Sequence, residues 1–261
     1  VGLTIKVVGA GQKYTKIAVY GKSGVGKTRL VGSSAQLGPT LIIRPPTDHT
    51  ESIFGSGCEE CVVQDWIQME EMKEHLRSEG QKYQWVWLDS YSLWEEFGLD
   101  DVWEAAKAKN SARAQYGRDK GEYGITMQRM DEWLRAVVTV DKFNFGVTAL
   151  PMLVLDTETG EEQWMPLTLG RDGKRSHLLC GYMNVVAYLG VKGKSEKVQR
   201  VLYTAMDEDH YAKDQYNAIK GGRLINPTMP KLMEHVKVAR DAAIANNKPT
   251  RPARRRRRAA A

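Results

Sequence analysis

Eight residues near the start of the chain, Gly21-Lys22-Ser23-Gly24-Val25-Gly26-Lys27-Thr28, satisfy the spacing G-x-x-x-x-G-K-[ST] at every fixed position. Each residue type has a task in holding a run of phosphates. Gly21, Gly24 and Gly26 permit backbone turns that a β-carbon would block, so successive N–H groups can converge on phosphate oxygens. Lys27 brings a point charge to the β- and γ-phosphates, and Thr28 offers a hydroxyl to a Mg²⁺ ion that keeps most of its own waters. A helix beginning near Lys27 adds the positive end of its dipole. Residues 15–20 read as a buried strand and residues 28–35 as a short helix, giving the required order of strand, glycine loop and helix. The pattern predicts binding of ATP with Mg²⁺ by Gly21 through Thr28 and the following Arg29.

A second stretch, Tyr83-Gln84-Trp85-Val86-Trp87-Leu88-Asp89-Ser90, is an apolar strand ending in a carboxylate. Asp89 is expected beside Thr28 in the Mg²⁺ shell; a capping aspartate is the structural alternative. Ser90 follows where many motor ATPases carry a glutamate, so a water-activating carboxylate has to come from elsewhere. Asp48 and Glu51, just past a strand over 40–44, are the leading candidates, with Glu95 and Glu96 behind them. For each, a solvated surface acid is the competing reading. Cys58 and Cys61 form a lone C-x-x-C, which zinc could use only with two more ligands such as His49 or His75. Reduced bystander cysteines are the default reading.

The elements that position these residues follow from periodicity and breakers. Strands are expected over 3–8, 15–20, 40–44, 83–89, 143–150, 183–189 and 198–204, and a hairpin over 154–164. Residues 45–61 read as loop, and 171–175 as a basic loop. Helices are expected over 65–79 with Asp65 as cap, 92–109, 125–140 and 229–246. Alternating strands and helices imply an α/β fold with a parallel sheet and the nucleotide at the strands' C-terminal ends. The division expected is one domain over 1–247 and an arginine-rich tail over 248–261. Arg251 and Arg254 to Arg258 are six arginines that account for the whole formal charge of +6, so the basicity belongs to the tail. Such a run can hold a polyanion or serve as a solvated end. No apolar run approaches a membrane span of roughly 20 residues, and a cytoplasmic protein without membrane contact is expected.

The glycine loop GKSGVGKT, the strand WVWLDS, Gln115-Tyr116-Gly117 and the strand end Thr148-Ala149 together resemble the short RecA-like ATPases of bacteriophages. That group includes AAA-domain nucleotide-binding proteins and single-strand annealing recombinases. The resemblance runs from about residue 15 to 237. It implies a RecA-like P-loop NTPase fold, a mainly parallel sheet flanked by helices with a C-terminal β-hairpin and strand region. Lys27, Thr28 and Asp89 match directly, and Thr148 would sit where a polar sensor reads the γ-phosphate. Segments 107–120 and 151–175 would occupy the positions of two DNA-binding loops, with Tyr116 and Trp164 for base stacking. Ala212-Lys213-Asp214 resembles a motif that reaches a neighbour's nucleotide, although Gln215 stands where arginine is expected.

Three activities compete. The first is a DNA-stimulated ATPase that assembles into a ring or filament on single-stranded DNA, with a single-strand-binding protein as a further partner. The second is a nucleotide-gated adaptor with little turnover that docks a recombination or replication partner. The third is a small-molecule kinase, for which Arg171 and Arg175 would supply a thin lid.

Overall fold

The computed structural model describes residues 14–155, 160–170, 173–193 and 198–246. The strand expected over 3–8, Arg171 and the arginine tail lie outside them. In chain order the elements are β1 (Lys16–Tyr20), α1 (Lys27–Gly32), β2 (Thr40–Arg44), β3 (Glu59–Val62), α2 (Trp66–Glu79), β4 (Trp85–Leu88), α3 (Tyr91–Lys109), α4 (Lys120–Val138), β5 (Asn144–Ala149), β6 (Pro151–Leu155), β7 (Glu162–Pro166), α5 (Lys174–Tyr182), β8 (Val185–Lys192), β9 (Gln199–Tyr203), β10 (Lys213–Asp214), β11 (Arg223–Ile225) and α6 (Met229–Asn246).

The main sheet runs β11-β9-β8-β1-β5-β4-β2-β3, with β10 also on β8. Strands β8 through β3 along this order are parallel, and β9, β10 and β11 join antiparallel. Strands β6 and β7 form a separate antiparallel ribbon. This is the mainly parallel α/β sheet flanked by helices that the sequence predicts, with its C-terminal strand region. Strand β5 lies between β1 and β4, pairing Val19 with Thr148 and Leu88 with Val147. The glycine loop, Asp89 and Thr148 therefore meet at the C-terminal ends of these central strands.

Both faces of the sheet are covered, which is why β1 and β4 are apolar without alternation. One face carries Tyr20, Val86, Leu88 and Phe145 beneath residues of α2, α3, α4 and α5. The other carries Val19, Ile42, Trp85 and Trp87 beneath α1 and α6. Trp85 and Trp87 stack with centroids 5.3 Å apart. Gly146 on β5 makes the room: an added β-carbon would stand 2.2 Å from the Trp87 ring. The buried Trp87 indole donates to Ser34 Oγ at 3.0 Å, so its polar edge is satisfied.

Several elements differ from the sequence expectation. Residues 45–61 are not all loop; they hold a 3₁₀ turn at Glu51–Ile53 and the start of edge strand β3. Helix α4 begins at Lys120 because Asp119 and Glu122 close a capping box. The segment read as a basic loop over 171–175 runs into α5, and the structure also extends β8 to Lys192. Asp65 caps α2 as expected, accepting from Gln68 N at 2.8 Å.

Candidate nucleotide-binding site

The loop between β1 and α1 folds back on the sheet because its glycines meet two different constraints. Gly24 and Gly26 have φ of +77° and +102°, the left-handed region that favours glycine. Gly21 is needed for a different reason: an added β-carbon would lie 2.3 Å from the Leu189 carbonyl oxygen of β8. Its N–H donates to Ala149 O at 3.2 Å, tying the loop to the end of β5. Helix α1 is short, and a 3₁₀ turn over Ser33–Leu37 continues it.

Lys27 folds over this loop and donates from Nζ to Gly21 O at 2.8 Å and Lys22 O at 3.1 Å. Burial lowers its pKa, opposed by the charges of Asp89 and Asp48. Asp89, 3% exposed at the end of β4, accepts hydrogen bonds from the hydroxyls of Thr148 and Thr28. Burial raises the Asp89 pKa, partly offset by those two hydroxyls and by Lys27. The cleft that Lys27, Thr28, Asp89 and Asp48 line has a volume of about 420 Å³. A neighbouring cleft of about 530 Å³ shares Gly26 and Arg29 with it and opens beside Phe54, which is 79% exposed. Together they suit a polar chain with a flat apolar end.

The donor set also bears on metal chemistry. Mg²⁺ takes one or two protein oxygens and fills its octahedron with water and phosphate. Thr28 and Asp89, already joined hydroxyl to carboxylate, fit that habit. Zinc finds no such set: among the described residues no three His, Cys, Asp or Glu stand together. The C-x-x-C alternative is corrected accordingly. Cys58 Sγ lies 3.6 Å from Gly32 O, and Cys61 packs partly buried against the core.

The predicted acids separate in space. Asp48 is half-buried on the cleft wall, and its Oδ1 accepts from His49 N at 2.8 Å. Glu51 does not line that cleft; it is exposed and faces His49 at 3.8 Å. Glu95 is 1% exposed and held by Arg175, and Glu96 faces solvent near Arg118.

The basic residues expected on nucleic acid are largely occupied by acids. Arg113 pairs with Asp119 at 2.5 Å and Glu122 at 2.7 Å, Arg118 with Asp100, and Lys107 with Glu104 at 2.5 Å. Trp164 is half-buried, with Lys22 Nζ 5.9 Å from its ring centroid, so it belongs to the glycine loop's surroundings. Lys213 also turns inward, donating from Nζ to Cys180 O at 2.7 Å. Tyr116 is 83% exposed, with Lys109 and Lys120 exposed near it in the chain.

Sequence reasoning missed Arg200. This β9 residue lines both clefts and donates from Nε to Val25 O at 2.9 Å, inside the glycine loop. No local pattern marks it, because the contact joins residues 175 apart in the chain.

A family model described as an AAA domain matches residues 13–216. No curated protein matches the chain. Among solved structures it is similar to a RadB recombinase at 14% identity, covering 72% of this chain and 79% of that one with a TM-score of 0.43. It is also similar to a KaiC-like protein from the archaeon Pyrococcus horikoshii, at 13% identity over 82% and 90% of the two chains, with a TM-score of 0.39.

Proposed function

The chain belongs to the AAA domain family, and from that premise we propose that it binds ATP with Mg²⁺ between the glycine loop and Asp89 and hydrolyses it. The observation that carries this is the meeting of Lys27, Thr28, Asp89 and Thr148 at the C-terminal ends of β1, β4 and β5. Lys27 now satisfies its ammonium on two loop carbonyls, and phosphate oxygens offer it a charged exchange. Thr28 and Asp89 would hold Mg²⁺, which supplies charge to the β- and γ-phosphate oxygens. Thr148, buried behind the cleft, donates to the Asp89 carboxylate and would act on the γ-phosphate only through it. Asp48 is the acid best placed to take a proton from the attacking water, since it alone of the proposed bases lines the cleft.

Coupling of this hydrolysis to single-stranded DNA is a further part of the proposal. Its support is narrow: the exposed ring of Tyr116, flanked in the chain by exposed Lys109 and Lys120, offers a stacking and phosphate contact. Self-association into a ring or filament, and a setting in phage recombination or replication, rest on the resemblance alone. The adaptor reading is favoured by one specific observation, that Glu51, Glu95 and Glu96 all stand away from the cleft and leave Asp48 without a second acid. The kinase reading loses one of its two lid arginines, because Arg175 is engaged by Glu95 and Asp131, while Arg171 lies outside the described residues.

The test is ATP turnover with and without single-stranded DNA at two salt concentrations, for wild type, Lys27→Ala and Asp48→Asn. A Lys27-dependent rate that DNA raises and salt suppresses supports the full proposal. Tight ATP binding with no turnover under any condition replaces it with the adaptor.

A further inference from the structure

Arg200 is the feature of the site that neither the sequence pattern nor the family match explains. Its backbone is fixed from both sides: its N–H donates to Asn226 Oδ1 at 3.2 Å, and its carbonyl accepts from Asn226 N at 2.7 Å. From that anchor the half-buried side chain crosses the glycine loop. Nε donates to Val25 O at 2.9 Å, and a β-carbon on Gly26 would lie 2.6 Å from Nε and 3.4 Å from Cζ. The guanidinium thus lies against Gly26, where any side chain would obstruct it.

Two further observations point to an anion. Among the described residues no carboxylate stands within ion-pair distance of Arg200, although Arg113, Arg118 and Arg175 each have one. Arg200 also lies on the wall shared by the phosphate cleft and the neighbouring cleft beside Phe54. A half-buried guanidinium facing a cleft without an acid favours a ligand that brings its own negative charge.

Resting on the nucleotide reading above, we propose that Arg200 is a phosphate-binding residue: its Nε fastens the loop at Val25 while its Nη groups hold the nucleotide's α-phosphate. The α-position follows from the junction between the clefts, since β- and γ-phosphates belong to Lys27 on the inner side. The arginine acts within one chain, reaching the loop from β9 through the sheet order.

The experiment is calorimetric titration of the full chain with ATP, ADP and inorganic pyrophosphate, for wild type, Arg200→Ala, Arg200→Lys and Lys27→Ala. Loss of a charged hydrogen bond weakens binding by about 10- to 100-fold. Arg200→Ala should weaken ATP and ADP by the same factor within that range and leave pyrophosphate unchanged. Arg200→Lys keeps the charge but not the planar fork, and should recover part of the affinity for ATP and ADP. Lys27→Ala should weaken all three ligands. Unchanged ATP and ADP affinity in Arg200→Ala overturns the proposal while leaving the nucleotide reading intact. An equal loss for pyrophosphate also overturns it, because Arg200 then only props the loop. Failure of wild type to bind any of the three removes the nucleotide reading itself, and the proposal with it.

Discussion

Arg175 of α5 joins three elements behind the nucleotide cleft, and its removal gives a pH-dependent prediction. Its Nη2 lies 3.1 Å from Glu95 Oε1 on α3, and its Nη1 2.9 Å from Asp131 Oδ2 on α4. Glu95 also accepts from Leu169 N at 2.6 Å, so the segment after β7 is fastened to the same carboxylate. Burial pushes the Glu95 carboxyl up to about 7, against the pull of Arg175. Its folded value thus exceeds its unfolded one. The stability it contributes is present at low pH and lost as pH rises through about 7. Arg175→Met keeps a similar aliphatic stem and removes the cation, raising the Glu95 value further. At pH 8 Glu95 ionises in the wild type but stays protonated in the variant, so the pH-dependent part of the loss is limited to about 1.4 kcal/mol, the one unit between 7 and 8. For a chain of this size each kcal/mol shifts Tm by about 2–4 °C, so the drop at pH 8 should exceed the drop at pH 6 by about 3–5 °C. At pH 6 Glu95 is protonated in both proteins, and the drop should shrink. Circular-dichroism melts at the two pH values measure it, with Glu95→Gln/Arg175→Met as the variant whose drop stays constant. Equal drops at pH 6 and pH 8 for Arg175→Met would refute the reasoning.

Three other perturbations test neighbouring parts of the structure. Thr148→Val removes a hydroxyl donor from the buried Asp89 carboxylate and should lower stability by about 1–3 kcal/mol in urea denaturation. Gly146→Ala places a methyl group 2.2 Å from the Trp87 ring and should cost about 1–3 kcal/mol by the same measurement, more than Gly124→Ala, where nothing lies within 4 Å of the added carbon. Asp48→Asn should leave ATP affinity near wild type in a binding titration while slowing turnover by about 100-fold or more.

The parts of the site legible in the sequence are those whose physics is local. The glycine loop announces itself because positive φ at Gly24 and Gly26 and the Lys27–Thr28 pair all fall within eight residues. Asp89 is legible because it directly follows an apolar strand, whereas Thr148, inside β5, is singled out by the resemblance. The sheet then brings them together across 59 residues of chain. Edge strand β3 was not legible, because Glu59 and Glu60 face solvent and leave too short an apolar signal. The fate of the basic segments was hidden for the same reason of distance. Arg175 looks available until its partner 80 residues earlier is placed against it. The fold class could be read from alternation of elements alone. Which charges remain free could not.

The charges of the cleft support the proposed binding of a metal-bound polyphosphate. Its lining carries Lys27, Arg29 and Arg200 against Asp48 and Asp89. Asp89 takes hydrogen bonds from neutral hydroxyls, not from any of these cations, and burial works against its charge. Lys27 spends its donors on loop carbonyls, and Arg200 spends one on Val25. Lys27, Arg200 and Asp89 are each held by neutral partners that a stronger one can replace. Lys27 and, as proposed, Arg200 would take anions from a phosphate chain, and Asp89 with Thr28 would hold a divalent cation whose charge the hydroxyls of Thr28 and Thr148 only approximate. Neither component satisfies the cleft alone. ATP without Mg²⁺ would leave Asp89 facing added negative charge, and Thr28 and Asp89 alone would offer Mg²⁺ few of the oxygens it needs. The two components should bind with positive coupling, each raising the affinity of the other by the same factor.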